Sequence, residues 1–325
     1  MKVLNKKQIL KREIKFYNRI ISTPDNIRKK ISKRKNKIWV EYEFNMPQSL
    51  FVINNEKTNL KIFGRKAISK DFIEGKLMSI NSSYIDESML LGVFKSYEYK
   101  NKKITIKYSP ISKKEKKYFF NKIKNDLRYN EIIFPFQYKH YDSGEEQLSS
   151  EIKWYADKRL IKNLNFGERY QRHYTCNLLK KMNINPQIAY DPACSTGCFL
   201  FNVKKHFNKC ITIGHDLSPS MVEHSKKYVD FSLCCDALQS PLPNNSVDLL
   251  ILRFLNGGIV AKSEVTKYLD CLLPKLKPNG YIICIGHTPV LLTKEIFKNY
   301  GLIIKQSIGC TSKYIFQFYF LQKIK

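Results

Sequence analysis

From about residue 186 onward the sequence predicts a doubly wound, mostly parallel α/β sheet whose last strand runs antiparallel, preceded by a basic α+β domain. Three observations carry this reading. Five short apolar runs, PQIAYD (186–191), ITIGHD (211–216), FSLCCD (231–236), VDLLILR (247–253) and GYIICIGH (280–287), are each followed by a turn and mostly by a helix-like stretch. That is the pattern of a parallel sheet covered on both faces. The two runs that end the chain, LIIKQSIG (302–309) and KYIFQFYFL (313–321), are too close together for a crossover helix and should pair antiparallel. The first 150 residues lack this regularity, and their first 40 carry a concentrated positive charge.

Helices fill the gaps between the runs. GCFLFNVKKHFN (197–208) follows the first strand, and SPSMVEHSKKYV (218–229) follows the second, with Ser218 as N-cap and Pro219 in the first turn. Residues 262–276 form a third helix closed by Pro278-Asn279-Gly280, and residues 150–182 read as two helices leading into the regular half. In the N-terminal part the pattern predicts a basic helical arm at about 5–20, strands at 48–54 and 58–63, a hairpin around YEYKNKKITIKY (97–108) and a Lys-rich helix at 113–127. The alternation in that hairpin reads first as a strand with one buried and one solvated face. Stacking of bases on its aromatic residues is the functional alternative.

A chain of 325 residues holds one large or two modest domains. Its 43% hydrophobic and 13% aromatic content excludes a disordered protein. There is no stretch of about 18 uninterrupted apolar residues, so no membrane span is expected. The N-terminus breaks every short apolar stretch with a charge, so a cytoplasmic location is expected. All nine cysteines lie beyond residue 175, several inside apolar runs, which reads as buried free thiols. The close pairs Cys194/Cys198 and Cys234/Cys235 do not have zinc-site spacing, and no metal is expected.

The net charge of +29 suggests an anionic partner. Only ten of the 57 basic residues are Arg, however, and the Lys, Asn and Ile excess of an AT-rich gene inflates the signal. Position says more: residues 1–40 hold 14 basic and 2 acidic residues, whereas residues 186–260 hold six of each.

The sharpest segment is IAYDPACSTGCFL (189–201), a strand that ends in Asp191 and a small-residue turn that opens a helix. Ala193, Ser195 and Gly197 occupy alternating small positions and let backbone approach a ligand at the helix N-terminus. Asp216 ends the second strand, 25 residues after Asp191, where a carboxylate can accept both ribose hydroxyls. Asp236, followed by Ala237, ends the third, where a side chain can receive the exocyclic amine of adenine. A dinucleotide-binding dehydrogenase is the competing reading of the first motif alone, and each acid could serve only as a turn or cap residue. Arg253 stands at the carboxyl end of the fourth strand, the edge where α/β sheets place their sites, and a guanidinium there could grip two oxygens of an anionic acceptor. Asn256, in the same loop, could orient the acceptor or the amino-acid end of the cofactor. The alternative for Arg253 is a surface side chain lying along Phe254.

Taken together, DPACSTG (191–197), HD (215–216), CDA (235–237) and SVDLLI (246–251) resemble the motifs of the class I S-adenosylmethionine-dependent methyltransferase superfamily, with Ala and Ser at two of its usual glycine positions. The resemblance covers about 186–325. It implies a Rossmann-like, seven-stranded sheet with an antiparallel last strand, and S-adenosylmethionine as co-substrate. It also implies that Leu217 and Met221, after Asp216, belong to the cofactor site. The segment GERYQRHYTC (167–176) would close over the methionine end through Tyr170, Arg172 or Tyr174.

The longer run from DPACSTG through IGHDLSPSMVEHSKKYVD to DALQSPLPNNSVDLLILRFLN is similar to the isonocardicin synthase-type transferases and the related enzyme of microcin C maturation. These move the 3-amino-3-carboxypropyl group of S-adenosylmethionine instead of its methyl group. That resemblance implies transfer to a small-molecule or peptidyl-nucleotide acceptor, such as the phosphate of a peptidyl-adenylate, in antibiotic biosynthesis. It also implies a partner enzyme acting on the transferred group. Residues 1–150 would bind the acceptor and 151–325 the cofactor. Two rival readings stand beside it, a methyltransferase acting on RNA and a non-catalytic nucleic-acid-binding module. RFLN replaces the Asn/Asp-Pro-Pro-aromatic motif of base-amine methylation, and no Pro-Cys dipeptide supports a cytosine-C5 mechanism.

Overall fold

The computed structural model describes residues 30–31, 33–42, 50–66, 84–101, 103–136, 154–256, 259–286 and 288–324. The expected helical arm at 5–20, most of the basic segment 1–40 and the start of the stretch 150–182 lie outside these residues.

The second half forms a seven-stranded sheet from β7 (Ile188–Asp191), β8 (Ile211–Asp216), β9 (Phe231–Cys234), β10 (Val247–Leu252), β11 (Leu276–Cys284), β12 (Ile303–Cys310) and β13 (Ile315–Gln322). The spatial order is β12-β13-β11-β10-β7-β8-β9. β7, β8, β9, β10 and β11 pair in parallel, while β13 runs antiparallel to both β11 and β12, as the short gap between the last two runs requires. The chain winds outward from β7 to β8 and β9, then returns to lay β10 on the other side of β7. Connections therefore diverge between β7 and β10 and leave a crevice at the carboxyl ends of the strands.

Both faces of this sheet are covered, which is why its strands read as continuous apolar runs. Helices α6 (Val265–Leu272) and α7 (Lys294–Asn299) pack Tyr268, Leu269, Leu272 and Phe297 on one face. On the other, α3 (Arg169–Lys181) and α4 (Cys198–His206) pack Cys176, Leu179, Phe199, Leu200 and Val203. Helix α5 (Pro219–Ser225) begins as expected, with the Ser218 hydroxyl accepting from the Met221 N–H and Pro219 in the first turn. The exception is β9. It is an edge strand, and Phe231, Leu233 and Cys234 are exposed, so the FSLCC run is not the buried strand its composition suggests.

The first half forms a six-stranded antiparallel sheet from β1 (Lys37–Tyr42), β2 (Leu50–Asn55), β3 (Leu60–Arg65), β4 (Leu90–Lys100), β5 (Lys103–Pro110) and β6 (Asn130–Ile133), in the order β1-β5-β4-β3-β2-β6. β4 and β5 are the expected hairpin. β1 and β6 carry no sequence signal: KIWVEY is a mostly exposed, charged edge strand, and NEII is only four residues long. Helix α1 (Lys113–Asn125) lies over one face through Phe119, Phe120 and Ile123, and a reciprocal Ser112–Glu115 capping box starts it.

The two sheets share one of their hydrophobic clusters. Ile308 and Ile315, from β12 and β13, pack with Phe51, Ile53, Ile62 and Phe120. Ile85 exchanges both backbone hydrogen bonds with Ile315, at 2.8 and 2.9 Å. At the same seam Glu131 Oε1 accepts from the Lys294 N–H at 2.8 Å and from the Tyr319 hydroxyl at 2.9 Å, all three groups being buried.

Glu131→Ala would leave that amide and that hydroxyl without an acceptor, and the expected loss is about 2–4 kcal/mol of unfolding free energy. Glu131→Gln, which keeps an acceptor, should lose less than half as much in the same denaturant titration.

Candidate active site

The crevice between β7 and β10 is a cleft of about 200 Å³, lined by residues from every carboxyl-terminal strand end around it. The turn after β7 contributes Pro192, Ala193 and Ser195, the end of β8 Asp216 and Leu217, and the turn after β9 Asp236 and Ala237. The segment after β10 adds Arg253, Phe254 and Asn256, with Ile259, Val260, Tyr268 and Thr288 behind them. Across the mouth lie Trp154, Leu164 and Glu168, the last at the break between α2 (Lys158–Gly167) and α3.

Asp216 is the best-placed acid. Its Oδ2 accepts from the Ser195 N–H at 2.8 Å and its Oδ1 from the Ser218 N–H at 2.9 Å. These bonds aim the carboxylate and tie the end of β8 to the turn after β7. A carboxylate has about four acceptor positions, so two remain for the paired hydroxyls of a ribose. Burial raises this carboxyl above the ordinary range, and the two N–H bonds oppose the rise. Asp236 Oδ1 caps the Leu238 N–H at 2.9 Å and brings Ala237 to the cleft wall. Below Asp216, His215 Nδ1 lies 2.8 Å from the Tyr190 hydroxyl, which donates to Ser240 Oγ at 2.9 Å. Burial pushes this imidazole down to about 4, so it is neutral near pH 7.

Arg253 departs from expectation. It is buried at 9% exposure, and three of its donors are engaged: Nε to Asp191 Oδ2 at 2.7 Å, Nη1 to Glu168 Oε2 at 2.6 Å and Nη2 to the Ala193 carbonyl at 3.0 Å. Burial opposes the positive charge, but Asp191 and Glu168 outweigh it and raise the guanidinium well above its ordinary value. Arg253 is neither a free acceptor clamp nor a surface side chain along Phe254. It is an internal tie between the ends of β10 and β7 and the break at residue 168.

Other expected positions are also corrected. Asp191 is fully buried, and its Oδ1 takes the Ala193 N–H at 3.1 Å while its Oδ2 takes Arg253, so it shapes the turn instead of facing a ligand. Gly197 caps α4 with a left-handed φ of 74°, and a Cβ there would meet the Ser225 Cβ at 3.0 Å. Its smallness serves the packing of α4 on α5, not a cofactor. Met221 is wholly buried under the turn, 3.9 Å from Ser195 Oγ, and does not line the cleft.

Tyr170, Arg172 and Tyr174 do not line the cleft. Tyr170 packs edge-on against Tyr84, and Tyr174 packs against Phe316 and Phe318. Arg172 is buried and donates to the Asn165 carbonyl. The segment that contains them does reach the cleft, but through Glu168. Ala193, Ser195, Asp216, Leu217, Asp236, Ala237 and Asn256 lie where the motif reading put them, although the Asn256 side chain is occupied by the Arg253 carbonyl (3.2 Å) and the Thr288 hydroxyl (2.6 Å). Trp154, Leu164 and Glu168 were not anticipated. The one hint in the sequence is a lone acid in the basic stretch GERYQR.

Residues 190–284 match the family model described as a methyltransferase domain. Isonocardicin synthase of Nocardia uniformis subsp. tsuyamanensis is 28% identical over 247 residues, which cover 75% of this chain and 80% of that protein. Among solved structures, a SAM-dependent methyltransferase from Aquifex aeolicus aligns with a TM-score of 0.41 and 21% identity, over 51% of this chain and 98% of its own. A SAM-dependent methyltransferase from Leishmania major aligns with a TM-score of 0.44 and 14% identity, over 66% and 92%.

Two measurements check this geometry. Asp216→Ala should weaken binding of S-adenosylhomocysteine by about 1.5–3 kcal/mol, the worth of hydrogen bonds to a charged group, and calorimetry reads it directly. His215 holds a pKa of about 4 in the fold against an ordinary 6.5, so the unfolded chain binds the proton first as pH falls. Its contribution is intact above pH 6.5 and lost between 6.5 and about 4, on the order of 2–3 kcal/mol. His215→Gln should remove that part of the acid-side slope in denaturant unfolding.

With its strand order, its small-residue turn between two acid-ended strands and the match of residues 190–284 to a methyltransferase domain, the second half of the chain is a methyltransferase domain of the class I S-adenosylmethionine-dependent type, with S-adenosylmethionine as its co-substrate.

Proposed function

We propose that this protein transfers the 3-amino-3-carboxypropyl group of S-adenosylmethionine to a small or peptidic acceptor in antibiotic biosynthesis, the phosphate of a peptidyl-adenylate being the acceptor class that the motif resemblance implies. The observation that carries the reading is the extent of the likeness to isonocardicin synthase. A match of 247 residues cannot fit within residues 186–325 and must reach well into the part before the methyltransferase domain. The likeness therefore extends to the region in which an acceptor would be held.

Asp216 takes the ribose in this reading, and Asp236 and Ala237 take the adenine edge. Trp154, Phe254 and Tyr268 supply aromatic walls that shed water around the sulfonium. The acceptor's nucleophilic oxygen attacks the methionine γ-carbon, the bond from that carbon to sulfur breaks, and its electron pair leaves with sulfur as the neutral thioether methylthioadenosine. Methyl transfer differs only in which carbon stands in line, so positioning decides the product. An anionic oxygen needs no general base, and the absence of a catalytic dyad among the described cleft residues is compatible with this chemistry.

Incubation of the enzyme with S-adenosylmethionine and an extract of the producing cells tests the reading. The expected result is methylthioadenosine together with an acceptor heavier by about 101 Da, the arithmetic of attack at the γ-carbon. S-adenosylhomocysteine with a gain of about 14 Da would instead establish methyl transfer.

A further inference from the structure

We propose that Glu168 is the acceptor for the α-ammonium of S-adenosylmethionine and thereby the residue that separates ligands with an amino-acid tail from those without one. The inference rests on the reading that the cleft holds the adenosyl co-substrate.

The acid at the end of the first strand is the obvious candidate for this task, and it is unavailable. Asp191 has no exposed surface, and its two oxygens are committed to the Ala193 N–H and the Arg253 guanidinium. Three other carboxylates line the cleft. Asp216 and Asp236 stand at the ends of β8 and β9, where they suit the adenosine. Glu168 stands apart from them, against Arg253, whose next donor holds the Ala193 carbonyl of the turn.

Its two oxygens are unequal. Oε2 is fixed by Arg253 at 2.6 Å, whereas Oε1 accepts no hydrogen bond from any described residue. The side chain is 13% exposed, so a cation reaching it is largely desolvated. Arg172 Nη1 lies 4.0 Å from Oε2, and the two arginines together balance Asp191 and Glu168. With no large excess field to attract a cation at random, binding depends on the directed, charge-assisted bond to Oε1. The backbone is anchored as well: the Tyr84 hydroxyl donates to the Gly167 carbonyl at 2.8 Å, next to the helix break that presents Glu168.

The consequence is a difference between adenosyl ligands. S-adenosylmethionine and S-adenosylhomocysteine carry the α-ammonium, and methylthioadenosine does not. Loss of the amino-acid tail in the reaction would remove this contact and ease release of the thioether.

Calorimetry with S-adenosylhomocysteine and methylthioadenosine, on the wild type and on Glu168→Gln, tests the assignment. The amide still accepts from Arg253 but cannot form the charge-assisted bond. The expected result is a loss of at least tenfold in affinity for S-adenosylhomocysteine, with affinity for methylthioadenosine within twofold. Unchanged S-adenosylhomocysteine affinity, or an equal loss for both ligands, would overturn it. Glu168→Asp, which keeps the charge and withdraws it by one methylene, serves if Glu168→Gln fails to fold, and the same selective loss is expected. A wild type that binds neither ligand would overturn the reading of the cleft along with the assignment. Normal wild-type binding with no selective loss overturns the Glu168 assignment alone.

Discussion

A guanidinium removed from water must be matched by charge and hydrogen bonds or it destabilises the fold around it, and Arg253 is matched from two sides. Asp191 meets it from the end of β7 and Glu168 from the break between α2 and α3, while the Ala193 carbonyl takes a further donor. One side chain thus joins three pieces of chain that are distant in sequence and adjacent at the cleft. The turn after β7 can present Ala193 and Ser195 to a ligand because Asp191 and Arg253 hold it from below, and Asp216 holds its Ser195 amide from the side. Removal of either charge of the buried Asp191–Arg253 pair would strand the other in a medium that solvates it poorly, which is why that pair reads as scaffolding and not as chemistry.

This division of labour explains what the sequence discloses and what it hides. The sheet is legible because each parallel strand is a compact apolar run, and Asp216 and Asp236 are legible because they end two of those runs. Arg253 looks like a free cation in sequence because its partners lie 62 and 85 residues away. Met221 follows a motif position, but the Ser218 cap sets the phase of α5 so that it turns inward. Gly197 looks like a ligand-contacting glycine, and its left-handed backbone shows the requirement to be one of conformation and helix packing. Glu168, Leu164 and Trp154 reach the cleft only through tertiary placement: the Trp154 carbonyl accepts from Ser218, and Asn165 accepts from the Thr196 hydroxyl. No local pattern encodes such contacts.

The N-terminal sheet is the less legible half for a related reason. Its outer strands β1 and β6 carry no pattern of their own, and the sheet is joined to the cofactor sheet by a seam of Ile85, Glu131, Ile308 and Ile315, so burial there depends on residues far along the chain. Through that seam and through Tyr84, the same half of the chain touches the helix break that carries Glu168. A domain proposed to hold the acceptor is therefore mechanically continuous with the wall of the cofactor cleft.

Hydrogen exchange with and without S-adenosylhomocysteine reads the cleft segment by segment, since a ligand held there protects particular stretches of backbone. Protection should rise in 160–169, in 193–197 and in 216–218, around Glu168, the turn held by Arg253 and the end of β8, while α1 and β6 stay unchanged. Protection confined to the N-terminal sheet, or none in these three segments at saturating ligand, would mean that the cleft between β7 and β10 does not hold the ligand.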